Sequence, residues 1–169
     1  MNKIVVFCVE TKNNANTDNV YIKKSIEFYY PVSFRKNSVK FIMMNSKTRY
    51  KNPKVKKQIQ EYIHGNENNS VVVYCIDTDD YDVSPETNRY LESIQKYCEE
   101  SSYRFVFFCR DIEDVYWEHQ ISDHDKVNKA KQFKMQEQIK QVSEKTLRYN
   151  SFVKHGSNLL NVMDQIFEK

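Results

Sequence analysis

The stretch VVVYCIDTDD, residues 71–80, decides how this chain folds. Its first six residues are apolar without a break and rich in Val, which is typical of a strand buried on both faces. Such strands belong to parallel sheets that carry helices on both sides. The run then meets Asp77, Asp79 and Asp80, so the same stretch places carboxylates at the end of a strand.

Three other runs have the composition of strands. Together with the first stretch, the predicted strands span residues 3–9, 39–44, 70–76 and 103–109. Helix signals separate them, and the order is β-α-β-α-β-α-β. Right-handed crossovers between such elements predict a three-layer, Rossmann-like α/β fold with a four-stranded, mainly parallel sheet.

The helix signals are caps and prolines. Asp18 is predicted to cap a first helix that Pro31 closes. The pairs Asn52-Pro53 and Ser84-Pro85 each join a capping residue to a first-turn proline, and each predicts the start of a helix.

After residue 109 the strand pattern stops. The predicted helices there span residues 112–119, 124–148 and 157–167. We therefore divide the chain into an α/β core at residues 1–119 and a helical C-terminal extension at residues 120–169, packed on the core as part of one domain.

The composition excludes several classes of protein. The chain has 169 residues, of which 40% are hydrophobic and 14% aromatic, which is too apolar for a disordered protein. Two glycines leave no material for a phosphate-binding loop or a dinucleotide fingerprint. No apolar run approaches the roughly 20 residues of a membrane span, and residues 4–9 are too short for a signal peptide. The four widely spaced cysteines predict reduced thiols in a cytoplasmic protein without a membrane partner.

The charges are unevenly distributed although the net charge is only +3. Residues 1–60 hold 13 Lys and Arg against 3 Asp and Glu, whereas residues 61–122 hold 4 against 14. An acidic middle between basic flanks suits an enzyme that uses a metal ion on a polyanion, and it equally suits solvated faces without such a role.

Each of three apolar strands ends in an acid. Glu10 follows the first strand, Asp77 and Asp79 follow the third, and Asp111 follows the fourth, with Glu113 close behind. Parallel strands end at one edge of a sheet, where ligands bind in open α/β folds. Crowded carboxylates repel one another unless a cation lies between them, and oxygen ligands suit Mg²⁺ or Mn²⁺. Alternate residues of an extended chain point the same way, so Asp77 and Asp79 are predicted to hold one ion together.

Two motifs resemble those of the Toprim domain, namely VVFCVET at residues 5–11 and VVVYCIDTDD at residues 71–80. That family has Glu at the end of its first strand and D-x-D after its third. The resemblance covers about residues 3–119. The size and the helical C-terminus are most similar to the RloB-like branch, whose members are linked to restriction and phage defence, and RDIEDVYWEHQ at residues 110–120 resembles a stretch of that branch.

The resemblance implies Mg²⁺- or Mn²⁺-dependent phosphoryl transfer on DNA or RNA. It makes Glu10 the general acid and base and Asp77 and Asp79 the metal ligands, with Asp80 and Glu113 as further candidate metal ligands. The family usually has Gly after the Glu, where this chain has Thr11.

Lys12 and the basic residues at the second predicted helix and along the long C-terminal helix are candidates for phosphate contacts, because lysine and arginine give salt-dependent affinity for a nucleic-acid backbone. The candidates are Lys12, Lys47, Arg49, Lys51, Lys54, Lys56, Lys57, Lys126 and Lys129.

Two functions remain open from the sequence. The first is a metal-dependent nuclease or phosphotransfer protein of bacterial or phage defence. The second is a catalytically silent Toprim-like module that binds a partner protein or nucleic acid within a defence complex, and Thr11 favours it. A receiver-like signalling domain would need an acidic pair after the first strand, which Glu10-Thr11-Lys12 does not supply.

Overall fold

The computed structural model describes residues 2–11 and 15–168. Within that part of the chain, four strands form one parallel sheet in the order β2-β1-β3-β4. The strands are β1 (Ile4–Val9), β2 (Ser38–Met43), β3 (Ser70–Asp77) and β4 (Arg104–Phe108). The first and third strands are neighbours, so the acids that follow them lie at the same place on the sheet edge. The predicted α/β fold and its parallel sheet are confirmed.

Helices cover both faces of the sheet. They are α1 (Thr17–Tyr29), α2 (Pro31–Lys36), α3 (Pro53–Ile63), α4 (Pro85–Glu100), α5 (Ile112–Trp117), α6 (Lys126–Met135) and α7 (Leu159–Met163). The side chains of β1 alternate between the faces: Phe7 packs with residues of α1, α5, α6 and α7, and Cys8 packs with residues of α3 and α4. This alternation produces the three layers.

The predicted caps hold at two helices. Asn52 accepts a hydrogen bond from the Lys54 N–H, and Ser84 accepts one from the Thr87 N–H. The prediction for Asp18 is wrong. The cap position of α1 is Asn16, and Asp18 lies in the first turn with its carboxylate turned toward the chain that leaves β1.

The C-terminal helices are shorter than predicted. The stretch 124–148 is helical only in α6, and 3₁₀ turns follow at Gln138–Gln141 and Glu144–Leu147. Glu137 adopts a left-handed backbone conformation (φ 49°), which interrupts the helix. The stretch 157–167 forms only the five-residue α7. The apolar residues of this region pack against the sheet instead of along one helix stripe, and Leu147, Leu159 and Met163 are fully buried.

The segment before α7 closes the β4 edge of the sheet. Ser157 forms an antiparallel bridge with Phe108, and the Cys109 N–H donates to the carbonyl of Gly156. A Cβ atom at Gly156 would lie 2.7 Å from Tyr149 Cδ2 and 2.8 Å from the carbonyl oxygen of Val153, so this close approach requires glycine. Among the described helices, none is long and apolar enough to cross a membrane.

Candidate functional site

A cleft of about 360 Å³ opens at the carboxyl edge of the sheet, beside the ends of β1 and β3. We call it the acidic cleft, because the side chains that define it are Glu10, Asp18, Asp77, Glu113, Asp123 and Lys126. The sequence placed Glu10, Asp77 and Glu113 in a common site, and the structure brings these three residues to this cleft.

Glu10 directly follows β1, and it contacts Asp77 at the end of the neighbouring strand β3. Glu10 Oε1 accepts a hydrogen bond of 2.8 Å from the Asp77 N–H. Burial raises the pKa of Glu10 to about 7, and the charges of Asp79 and Asp18 add to this increase, against the opposing effects of Lys47 and the hydrogen bond. Burial also raises the pKa of Asp77 well above its usual range, and the charge of Glu10 raises it further. Glu10 can therefore exchange a proton near neutral pH.

Asp18 joins the first turn of α1 to the end of β1. Its Oδ2 accepts from the Thr11 N–H at 3.2 Å, and its own N–H donates to Thr11 Oγ1 at 3.3 Å. Burial raises the pKa of Asp18, while the two contacts with Thr11 oppose the rise. These two hydrogen bonds thus join Thr11, the residue after Glu10, to the first turn of α1. The sequence did not predict that Asp18 contacts Thr11, because an acid at the start of a helix is ordinarily assigned to capping that helix.

Glu113 is the most deeply buried acid of the cleft, with 1% of its surface exposed. Among the described residues no hydrogen-bond partner is found for its Oε1. Its Oε2 lies 3.5 Å from Lys126 Nζ. Burial raises the pKa of Glu113 to about 7 even though Lys126 lowers it. Glu113 therefore presents a carboxylate oxygen that lacks a protein donor.

Lys126 is the basic residue among the described residues that line the cleft. Its ammonium group lies 3.1 Å from Asp111 Oδ2 and 3.3 Å from Asp123 Oδ1, in addition to Glu113. Burial alone would lower the pKa of Lys126, but the charges of Glu113 and Asp111 outweigh burial and raise it. Lys126 is one of the residues predicted to contact nucleic acid, and in the structure it pairs with Asp111, Glu113 and Asp123.

Asp79 and Asp80 lie outside the acidic cleft. Asp79 follows the end of β3 in a left-handed conformation (φ 48°), is exposed, and pairs with Lys47. Asp80 Oδ1 accepts a hydrogen bond of 2.6 Å from Thr87 Oγ1 in α4. The prediction that the Asp77 and Asp79 side chains point the same way assumed an extended chain, whereas the backbone turns at Asp79. The backbone at Asp79 is therefore not the extended one on which the prediction of a shared direction rests.

Lys47 bridges the turn after β3 and the end of β2. Besides its pair with Asp79, its ammonium group donates to the Asp77 carbonyl at 3.1 Å. Burial would lower the pKa of Lys47, but Glu10 and Asp79 raise it overall. A second lysine therefore neutralises acids at the rim of the cleft.

The described His, Cys, Asp and Glu side chains do not include a group of three or more arranged to hold a metal ion. The donors in the cleft are nevertheless carboxylate oxygens, with raised pKa values at Glu10, Asp77 and Glu113 and one unpartnered oxygen on Glu113. Such a set suits a hard divalent cation. Lys47 and Lys126 already neutralise part of the negative charge of these acids.

Five of the remaining basic candidates form an exposed surface on and before α3. We call it the α3 basic surface, and it comprises Arg49, Lys51, Lys54, Lys56 and Lys57. Lys51 lies 5.5 Å and Lys56 5.8 Å from the ring centre of Tyr97, so both amines lie over an aromatic face. Lys129 lies 4.5 Å from the ring of Trp117 in the same way. Lys12 falls outside the described residues.

No family model, curated protein or solved structure matches this chain. Support for a function consequently comes from the residues of this chain and from its motifs at residues 5–11 and 71–80.

Proposed function

We propose that the chain is a Toprim-like, Mg²⁺- or Mn²⁺-dependent phosphotransfer protein that acts on nucleic-acid phosphodiesters in the bacterial cytoplasm. The observation that carries the proposal is the contact of Glu10 with the Asp77 N–H at the end of neighbouring parallel strands. It places a carboxyl group with a pKa near neutrality beside a second, strongly perturbed carboxyl group. Perturbed acids gathered in a cleft are typical of a catalytic site.

The acids of the cleft fit a divalent cation by their chemistry. Asp77 and Glu113 would hold the ion, and the unpartnered Oε1 of Glu113 supplies an oxygen without a competing donor. Bound there, the ion would neutralise charge that develops on a phosphodiester in the transition state. Asp79 and Asp80 lie on the rim, where they are better placed to affect access than to hold the same ion.

The residues of the chain would supply proton transfer, positioning and binding of the nucleic-acid backbone. Glu10 would give or take the proton of the attacking or leaving oxygen, since its pKa of about 7 suits general acid–base catalysis at neutral pH. Asp18 would hold Thr11, and with it the end of β1 at Glu10, against the first turn of α1. The α3 basic surface would hold the backbone of the nucleic acid through contacts that depend on salt.

Replacing Glu10 by Gln tests the catalytic part of the proposal. The substitution keeps the size of the side chain and an oxygen that accepts from the Asp77 N–H, and it removes the exchangeable proton. We expect the rate of Mn²⁺-dependent cleavage of labelled DNA and RNA oligonucleotides to fall about 100-fold or more. The exposed Glu86 in the first turn of α4 provides the control, and Glu86→Gln is expected to cleave at the wild-type rate. Equal cleavage by Glu10→Gln and wild type would contradict the assignment.

A second candidate function is a catalytically silent module that binds a partner protein or nucleic acid within a defence complex. The pairing of Lys126 with three acids and of Lys47 with Asp79 favours it, because these cations already offset the charge of the cleft. A silent module would bind oligonucleotide or partner without cleavage at any metal concentration. The oligonucleotide assay above therefore separates the two functions when binding and cleavage are measured together.

A further inference from the structure

The two edges of the sheet are closed to different degrees. At β4, the side chain of Asn158 accepts from the Phe107 N–H at 2.9 Å and donates to the Phe105 carbonyl at 3.0 Å, and Ser157 bridges Phe108. At the opposite edge, β2 pairs with β1 on one side, and no described strand pairs with the other side. An unpaired edge is normally covered or interrupted, so the open side of β2 is a distinctive feature of this fold.

The open side of β2 presents free peptide groups. The Ser38 N–H donates to the Lys3 carbonyl, and the Met44 N–H donates to the Val9 carbonyl. Because the hydrogen bonds of a strand in a parallel ladder alternate between its two sides, the peptide groups of Val39, Phe41 and Met43 point away from β1. Within the described residues, these outward groups have no hydrogen-bond partner. They form a row to which another extended chain can pair.

Hollows for side chains lie on both sides of this row. A groove of about 450 Å³ has apolar walls that include Val20, Phe34, Val39 and Phe41. A smaller hollow of about 160 Å³ lies on the other face of the strand and includes Tyr62. Successive side chains of an added strand point to opposite faces, so they would enter the two hollows in turn.

The surroundings of the open edge are basic. Lys23 and Lys134 line the large groove, Arg49 and Lys54 line the small hollow, and Lys40 of β2 is exposed between them. Among the described residues that line either hollow, the single acid is Glu27, and it pairs with Lys24 at 3.0 Å. Lysines on an edge oppose pairing with neutral or basic strands, whereas they complement an acidic one.

We propose that the β2 edge binds an acidic, extended peptide segment of a partner protein, which adds to the sheet as a fifth strand beside β2. Main-chain hydrogen bonds to Val39, Phe41 and Met43 would supply affinity, and alternate apolar side chains would enter the groove, as in other cases of strand addition. The basic residues around the edge would select acidic sequences and accelerate association. The proposal stands apart from the acidic cleft, which lies beyond the ends of β1 and β3.

The probes that test this proposal are blocked eight-residue peptides in which Glu alternates with Val or Phe, in both phases. Matched peptides carry Gln or Lys in place of Glu. Binding is measured by fluorescence anisotropy at two salt concentrations, and amide hydrogen exchange is followed residue by residue by NMR. We expect the Glu peptides to bind, higher salt to weaken them, and the amides of Val39, Phe41 and Met43 to become protected.

Val39→Pro removes one outward N–H and leaves the hydrogen bonds between β2 and β1 in place, whereas the control Val39→Thr keeps the N–H. We expect Val39→Pro to weaken binding at least tenfold and Val39→Thr to have little effect. The double variant Lys23→Glu/Lys134→Glu is a second test that leaves the strand itself unchanged, and it should weaken the Glu peptides and favour the Lys peptides.

Four results would overturn the proposal. The first is the absence of binding by the Glu peptides in both phases, and the second is equal affinity for Val39→Pro and Val39→Thr. The third is concentration-dependent protection of the same amides without peptide, which would assign the edge to a second copy of this chain. The fourth is protection of these amides by an oligonucleotide and not by the peptides, which would assign the edge to nucleic acid. Cleavage by wild type and by Glu10→Gln tests the cleft separately, so failure of either proposal is recognised on its own.

Discussion

At the scale of single residues, burial raises the pKa values of the acids in the acidic cleft, and the nearby lysines lower them. Glu10 and Glu113 both have pKa values of about 7, against a usual value of 4.5, and burial is the largest cause for each. Lys126 lowers the pKa of Glu113 and Lys47 lowers that of Glu10, but in each case the increase caused by burial is larger. When no metal ion is bound, Glu10 and Glu113 therefore bind protons more tightly in the folded protein than in the unfolded chain.

This arrangement predicts how stability changes with pH in the metal-free protein. The pKa values of Glu10 and Glu113 are higher in the folded than in the unfolded state, so the folded state binds more protons between about pH 4.5 and 7. The free energy of unfolding should thus increase as the pH falls from 8 to about 5.5, and decrease as the pH rises through 7. Urea denaturation at several pH values, with a chelator present, measures this dependence.

The variants Glu10→Gln and Glu113→Gln, combined in one chain, should reduce the slope of stability against pH over the same range, and the slope that remains comes from Asp77 and Asp18, whose pKa values burial also raises. Glu86→Gln, which changes an exposed acid, should keep the wild-type slope. Stability that rises between pH 6 and 8 in the wild-type protein would contradict the assignment of these two groups.

At the scale of elements, the strands were predictable and the C-terminal region was not. Three of the strands are continuous apolar runs, and burial on both faces leaves little alternative for such segments. The caps at Asn52 and Ser84 could be recognised because each precedes a proline. The stretch 124–148 has no continuous apolar stripe, and its buried residues, such as Phe133 and Leu147, are accommodated by turns that depend on contacts with the sheet.

The segment that closes the β4 edge provides a test at this scale. In Asn158→Ala, the Phe107 N–H and the Phe105 carbonyl lose their side-chain partner at the edge of the sheet. We expect the free energy of unfolding to fall by about 1–3 kcal/mol. Amide exchange in β4 should also become faster than exchange in β1.

The exposed Asn150 of the preceding segment is the control, and Asn150→Ala should change the free energy of unfolding by less than about 0.5 kcal/mol. If Asn158→Ala is as stable as Asn150→Ala, the side chain of Asn158 does not hold the edge.

At the scale of the whole molecule, the uneven charge along the sequence becomes an uneven charge in space. Acids from β1, α1, β3 and α5 meet at one edge of the sheet, and the α3 basic surface lies on and before the helix that follows β2. Strand order brought Glu10 and Asp77 together as expected from the sequence. The turn at Asp79 was not predictable, because it combines a left-handed backbone conformation with an ion pair to Lys47, a residue distant in the sequence.

The measurement that tests the central claim most directly is a calorimetric titration of Mn²⁺ into the protein, with and without a single-stranded oligonucleotide. The matched variants are Asp77→Asn in the acidic cleft and Glu86→Gln outside it. We predict that wild type and Glu86→Gln bind the ion with the same affinity and that Asp77→Asn loses most of the binding. The absence of binding by wild type under both conditions, or equal binding by Asp77→Asn, would contradict the assignment of the acidic cleft as a cation site.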